Sequence, residues 1–384
     1  MSRNLVICCD GTNNEFGPVK TNVARLAKVL VRNEEQLVFY DPGVGTLPEP
    51  TISNKIRASI RKKLSLAFGF GLKLNVQEAY TFLMNYWEPG DRVYLFGFSR
   101  GAYTVRVLAG LLRLLGLPPK GNEQLVPYAM ELLGAIREQG SNEGAGDTSK
   151  YWRLVNEFRG TFARSIPGQS SRMFRVHFCG VWDTVSSVGW VWEPITYPFT
   201  FGNPGINTVR HAVSIDERRW FFRQNLFKAD VRGQDFLELW FPGVHADVGG
   251  GYGPDEGGIW KFAFEWMVEE ARQCGLQIDQ KRLDHELGKD SGPVRRKHLH
   301  ESLEGCWWLA EVFPKWVFST GHGRHIGFGL GGRRTVPQGA KIHRSALRLI
   351  RDPELAYRPP NLSQAFLDRV VALPGEPPQF LRYD

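Results

Sequence analysis

Residues 92–103 read RVYLFGFSRGAY. The apolar, β-branched and aromatic run at 92–98 has the composition of a buried strand, and the apolar stretch from Ala102 to Leu115 has that of a helix. Between them stands Gly97-Phe98-Ser99-Arg100-Gly101, a G-x-S-x-G. The pentapeptide alone is common by chance, but a strand-turn-helix context is what a nucleophile elbow requires. Such a turn holds the serine hydroxyl above the sheet edge, and a Cβ at position 97 or 101 would collide with neighbouring backbone. The Arg100 N–H, at the start of the helix, would then face a developing oxyanion with the positive end of the helix dipole behind it. The plain alternative is a Ser99 that merely caps the helix.

A serine hydroxyl needs a base to take its proton, and the base needs an orienting acid. In this architecture the chain order is serine, acid, histidine, the last two on loops after later strands. Asp183 follows the strand-like run at 173–181, and His245 follows the run at 236–241 in a glycine-rich loop. Taken singly, a turn-capping aspartate and a structural histidine are the ordinary readings of both. Asp216 and Asp247 are spare acids. A second oxyanion donor comes from the loop after an earlier strand. Here Asp10-Gly11-Thr12 follows the apolar run at 5–9, so the Gly11 or Thr12 N–H is the natural donor, with Asp10 bracing the loop or touching the triad.

Outward from this centre, strand and helix signals alternate through the first hundred residues, as in parallel βα units. Strands are expected at 5–9, 37–40 and 92–98. A helix is expected at 23–31, capped by Thr21 or Asn22, and another opens at the capping-box spacing Asn75-x-x-Glu78 and stops at Pro89-Gly90. Further strands fall at 173–181 and 236–241, and a helix covers 265–272. The fold class is therefore α/β, an α/β-hydrolase-like domain with a mostly parallel central sheet and helices on both faces. It spans residues 1–360, with insertions near 139–170, 189–233 and 280–340, and residues 361–384 form a surface-running tail.

The 384 residues are 42% hydrophobic and 23% charged, which excludes a disordered chain. A formal net charge of +8 without a polybasic block does not imply nucleic acid, and leaves an anionic substrate or a peripheral contact with a membrane surface open. Five cysteines without a CxxC pair read as reduced, buried thiols. The apolar run at 5–9 is too short for a signal peptide, and no long apolar stretch follows, so the expectation is a cytoplasmic protein. Export by a signal-independent secretion system is compatible with this.

Taken together, Cys9-Asp10-Gly11-Thr12, Asp41-Pro-Gly-Val-Gly-Thr46, Tyr94-Leu-Phe-Gly-Phe-Ser99-Arg-Gly-Ala-Tyr103, Gly180-Val-Trp-Asp183-Thr-Val, His211-Ala-Val-Ser-Ile-Asp216-Glu-Arg and Pro242-Gly-Val-His245-Ala-Asp-Val-Gly-Gly-Gly-Tyr252 run in order over most of the chain. In these blocks the sequence resembles an α/β-hydrolase domain family of bacteria and fungi that includes the first-class type VI secretion lipase effectors, which act as phospholipases. The resemblance implies Ser99 as nucleophile, Asp183 as acid and His245 as base, in agreement with the spacing. The function expected is ester hydrolysis on a carboxylic ester, a glycerophospholipid being the narrower candidate, with no cofactor and no metal.

Two rivals come from other classes. One is a non-catalytic module that keeps the fold and binds a partner or an anionic membrane. The other is a metal-dependent hydrolase built on Asp10, Asp183, His245 and Asp247. Asp-Gly-Thr also resembles the opening of haloacid-dehalogenase-type phosphatases, but the position of their nucleophilic aspartate holds Cys8. The G-x-G-x-x-G at 327–332 lacks the flanking elements of a dinucleotide site and reads as a flexible loop. His298 with His300, and His322 with His325, read as surface histidines rather than metal pairs. Trp190, Trp192, Tyr197, Phe199 and Phe201 line an acyl pocket or fill core, whereas Trp307, Trp308, Phe313, Trp316 and Phe318 are expected in core.

Overall fold

The computed structural model describes residues 2–11, 20–43, 57–140, 148–167, 172–185, 197–228, 233–253, 256, 258–288, 298–304, 308, 311, 315–319, 323–327 and 329–384. The strands are β1 (Asn4–Cys9), β2 (Gln36–Asp41), β3 (Arg92–Phe98), β4 (Val176–Trp182), β5 (Ile206–Ser214), β6 (Asp235–Phe241), β7 (Lys315–Ser319), β8 (Gly323–Gly327), β9 (Lys341–His343) and β10 (Phe380–Arg382). Eight of them form one sheet in the order β10-β9-β6-β5-β4-β3-β1-β2, while β7 and β8 pair separately. Every neighbouring pair in the large sheet is parallel except β9 with β10. This is the α/β architecture expected of the sequence.

Alternation along β1 builds both faces of the sheet. Leu5, Ile7 and Cys9 join one core with α2 (Arg57–Tyr86) and α3 (Arg100–Leu115); Val6 and Cys8 join the opposite core with α1 (Asn22–Val29) and α7 (Trp260–Gln273). A strand buried on both sides reads as an unbroken apolar run, which is why residues 5–9 were conspicuous. Thr21 caps α1 by accepting the Ala24 N–H. The buried thiols of Cys8, Cys9 and Cys179 form no disulfide.

Four expectations need correction. Asn75 is buried inside α2 rather than at its start, because the helix already begins at Arg57. β5 falls within the span expected as an insertion at 189–233. Its Arg210 and His211 break the apolar pattern, yet both are matched inside the fold, Arg210 by Glu270 at 2.5 Å and His211 by Glu238 at 2.8 Å. The expected tail at 361–384 forms the helix Gln364–Val371 and the edge strand β10, and packs Phe366 and Leu367 into a third core with Trp240 and Ile342. Trp308 is 49% exposed rather than core.

The two flanking insertions also carry regular structure. Helices α4 (Leu125–Gly140) and α5 (Thr148–Phe162) border residues 141–147, and α8 (Gln280–Gly288) opens the span at 280–340. No helix among the described residues is long and apolar enough to cross a membrane.

Candidate active site

Strand register brings the candidate residues to one place. From β1, second from one edge of the sheet, the chain moves out to the edge strand β2, then returns to β3 on the other side of β1, so the crevice beyond the carboxyl ends of β1 and β3 is a topological switch point. Gly97 of β3 lies opposite Cys9, and Phe98 lies opposite Trp182 of β4. The residues just beyond, Asp10, Ser99 and Asp183, therefore emerge side by side. The Ser99 N–H donates to the Trp182 carbonyl at 3.1 Å, and the Asp183 N–H to the Ala212 carbonyl at 2.7 Å.

Ser99 sits at φ +57°, a conformation that costs a residue with a side chain about 1–3 kcal/mol. The two flanking glycines make it attainable. A Cβ on Gly97 would stand 2.5 Å from the Gly101 carbonyl oxygen, and one on Gly101 would run into the carbonyls of Cys9 and Asp10 at the end of β1. Gly101→Ala is accordingly expected to destabilise the fold by about 3 kcal/mol, since backbone on both sides has no room to yield. Chemical denaturation with a wild-type midpoint would contradict this packing.

His245 is the first residue of the short helix α6 (His245–Gly249), which follows β6. With the proton on Nδ1, its ring donates to Asp183 Oδ2 at 2.5 Å and accepts the Ser99 hydroxyl at Nε2 at 2.9 Å. The rings of Phe98 and Phe222 flank the imidazole, with centroids 4.6 and 4.8 Å away. Burial lowers its pKa below the ordinary imidazole value, against an opposing pull from Asp183. Burial would raise the Asp183 carboxyl, but the Arg334 guanidinium and His245 outweigh it and hold the acid well below the usual carboxylate range.

Several of these partners were invisible in the pattern. Asp183 accepts the Ser214 N–H at 2.9 Å and both terminal nitrogens of Arg334, at 2.6 and 3.0 Å. Glu217 accepts the His245 backbone N–H at 3.1 Å. Burial would raise the Glu217 carboxyl, yet Arg219 chiefly holds it at about 2. Glu217 stands beside the spare acid Asp216 in a block already singled out, so proximity to that block was its signal. Arg334, just after the glycine stretch at 327–332, had none.

The remaining candidates are otherwise engaged. Asp10 braces its loop: its carboxylate accepts the Gly11 N–H at 2.7 Å, the Thr21 hydroxyl at 2.5 Å and the Tyr40 hydroxyl at 3.0 Å. The Gly11 N–H is thus already bonded within the loop, and Thr12 lies outside the described residues. Arg100 opens α3 directly after Ser99. Asp216 accepts the Gly243 N–H and the Tyr357 hydroxyl, both at 2.7 Å. Asp247 caps α6 through the Val244 N–H and pairs with His300, whose ring stacks on Tyr252. His300 is therefore not a free surface residue.

Among the described residues no group of three or more His, Cys, Asp and Glu side chains is placed to hold a metal ion. His322 and the side chain of His325 lie outside them, as do Trp190 and Trp192. Tyr197 and Phe199 pack against the core beneath α3, and Phe201 is exposed.

Residues 3–270 match the family described as "T6SS, Phospholipase effector Tle1-like, catalytic domain". An uncharacterized protein of Saccharomyces cerevisiae is 36% identical over 233 residues, 59% of this chain and 33% of that protein, so the chain spans about a third of that relative's length. The crystal structure of an uncharacterized protein from Pseudomonas aeruginosa aligns with a TM-score of 0.42 at 20% identity, over 77% of this chain and 50% of that one. The structure of the Tle1 effector bound to the VgrG spike of the type VI secretion system aligns with a TM-score of 0.33 at 18% identity, over 67% of this chain and 52% of that one.

Proposed function

The chain belongs to the family of type VI secretion Tle1-like phospholipase effector catalytic domains, and from that premise we propose that it is a serine ester hydrolase acting through Ser99, His245 and Asp183. The observation that carries this reading is the continuous relay from the Ser99 hydroxyl through His245 to Asp183, with contacts of 2.9 and 2.5 Å. His245 takes the hydroxyl proton as Ser99 Oγ attacks the acyl carbon. Asp183 fixes the imidazole tautomer and stabilises the imidazolium that forms.

Collapse of the tetrahedral intermediate expels the alcohol, which receives the proton from His245, and leaves an acyl-serine. Water, deprotonated by the same imidazole, then releases the acid. The Arg100 N–H at the head of α3 is one oxyanion donor. The second falls to the loop after β1, where Gly11 would serve only by loosening its bond to Asp10. A carboxylic ester of a glycerophospholipid is the substrate class that the family points to.

The test is covalent. A fluorophosphonate should modify the folded protein at Ser99, identified by peptide mapping, and hydrolysis of phosphatidylcholine vesicles should release fatty acid and lysolipid. A folded protein that stays unlabelled and leaves both vesicles and p-nitrophenyl esters intact would instead be a binding module on a hydrolase scaffold.

A further inference from the structure

Residues beyond the family match at 3–270 reach into this site. Arg334 is 6% exposed, and its two terminal nitrogens span both oxygens of Asp183. The same nitrogens donate to the carbonyls of Ser214 and Phe222, whereas Nε finds no acceptor among the described residues. The guanidinium thus spans both oxygens of the carboxylate with its fork while the carbonyls of Ser214 and Phe222 share the same two nitrogens. Its backbone is fixed as well: the Asn361 side chain donates to the Arg334 carbonyl at 3.1 Å and to that of Ile215 at 2.9 Å.

An arginine on the acid is more than a brace. The negative charge of Asp183 does most to favour protonated His245, and a buried cation sharing that charge weakens the effect. We propose that Arg334 is a positioning residue of the triad, supplied from the C-terminal part of the chain, which by neutralising part of the Asp183 charge sets how strongly His245 holds its proton. The proposal rests on the triad reading above.

Among the described residues, few other groups face this pair. Asp183 also meets the Ser214 N–H. His245 meets Ser99, the rings of Phe98 and Phe222, and the Glu217 carboxylate at its backbone N–H; the charges of Glu217 and Arg219 act on it in opposite directions. Glu217 feels Arg334 as well. Removing Arg334 therefore leaves both nearby carboxylates more negative in effect. The expected result is a base that stays protonated to higher pH.

The experiment follows the pseudo-first-order rate constant of fluorophosphonate labelling at Ser99 against pH, a quantity insensitive to any inactive fraction. Relative to wild type, Arg334→Met should move the acid limb upward by about one pH unit, a roughly tenfold slower reaction on that limb. Arg334→Lys keeps the charge and loses the fork, so its limb should stay near wild type while its alkaline plateau falls. Should Arg334→Met not fold, Arg334→Gln replaces it with the same expectation. A wild-type limb in the folded neutral variant overturns the role of Arg334 alone. A wild-type protein that Ser99 chemistry never labels overturns the triad reading beneath it.

Discussion

Ser99→Ala is expected to lower kcat/KM for ester hydrolysis by about 10⁵-fold or more, because every covalent step of the proposed reaction starts from its oxygen. The residual rate would be that of a pocket that still binds and polarises an ester, which remains above water alone. Stability should move the other way from activity. Ser99 is held at φ +57°, where alanine is no better placed than serine, but glycine is at home. Ser99→Gly should therefore be equally inactive and about 1 kcal/mol more stable, the strain at the elbow being released. Thermal melts of wild type, Ser99→Ala and Ser99→Gly, together with p-nitrophenyl ester turnover, check both halves. Ester hydrolysis that survives in either variant and disappears with a chelator would move the chemistry from the serine to a metal.

What could be read from sequence follows the physics of each element. β1 and β3 were legible because both faces of the strand are buried, leaving an unbroken apolar run closed by glycine turns. That Ser99, Asp183 and His245 could meet was legible because each follows a strand-like run, directly or within a few residues, where a parallel sheet presents its loops on one edge. β5 was not, since Arg210 and His211 are buried with partners from β6 and α7, and charge matched in three dimensions looks like surface in one. The early part of α2 was hidden by a local signal: Asn75 and Glu78 have capping-box spacing, but the helix already running from Arg57 overrides it. The edge strand β10 is three residues long and owes its place to pairing with β9, which no local pattern announces. Arg334 is the clearest case, for one of two adjacent arginines beyond a glycine stretch has no period or spacing to mark it as the acid's partner.

Asp183→Asn should harm both activity and stability, and the two losses have different origins. An amide keeps the size of the side chain but no longer holds the proton on His245 Nδ1 or stabilises the imidazolium. Loss of that function costs about 10⁴-fold in kcat where such a triad operates. In most triads the fold would hardly notice. Here Arg334 lies buried against the same carboxylate at 2.6 and 3.0 Å, and the substitution strands its charge. Breaking one side of a buried ion pair costs about 3–5 kcal/mol, much of it the desolvation of the group left behind. The double variant Asp183→Asn with Arg334→Met removes that stranded charge. It should recover about half or more of the lost stability while remaining as inactive as the single variant. A denaturation cycle over the four proteins measures the coupling directly. An Asp183→Asn protein with wild-type stability would show that Arg334 draws its support from the carbonyls of Ser214 and Phe222 rather than from the acid, and would remove the electrostatic link between the C-terminal part of the chain and the proposed base.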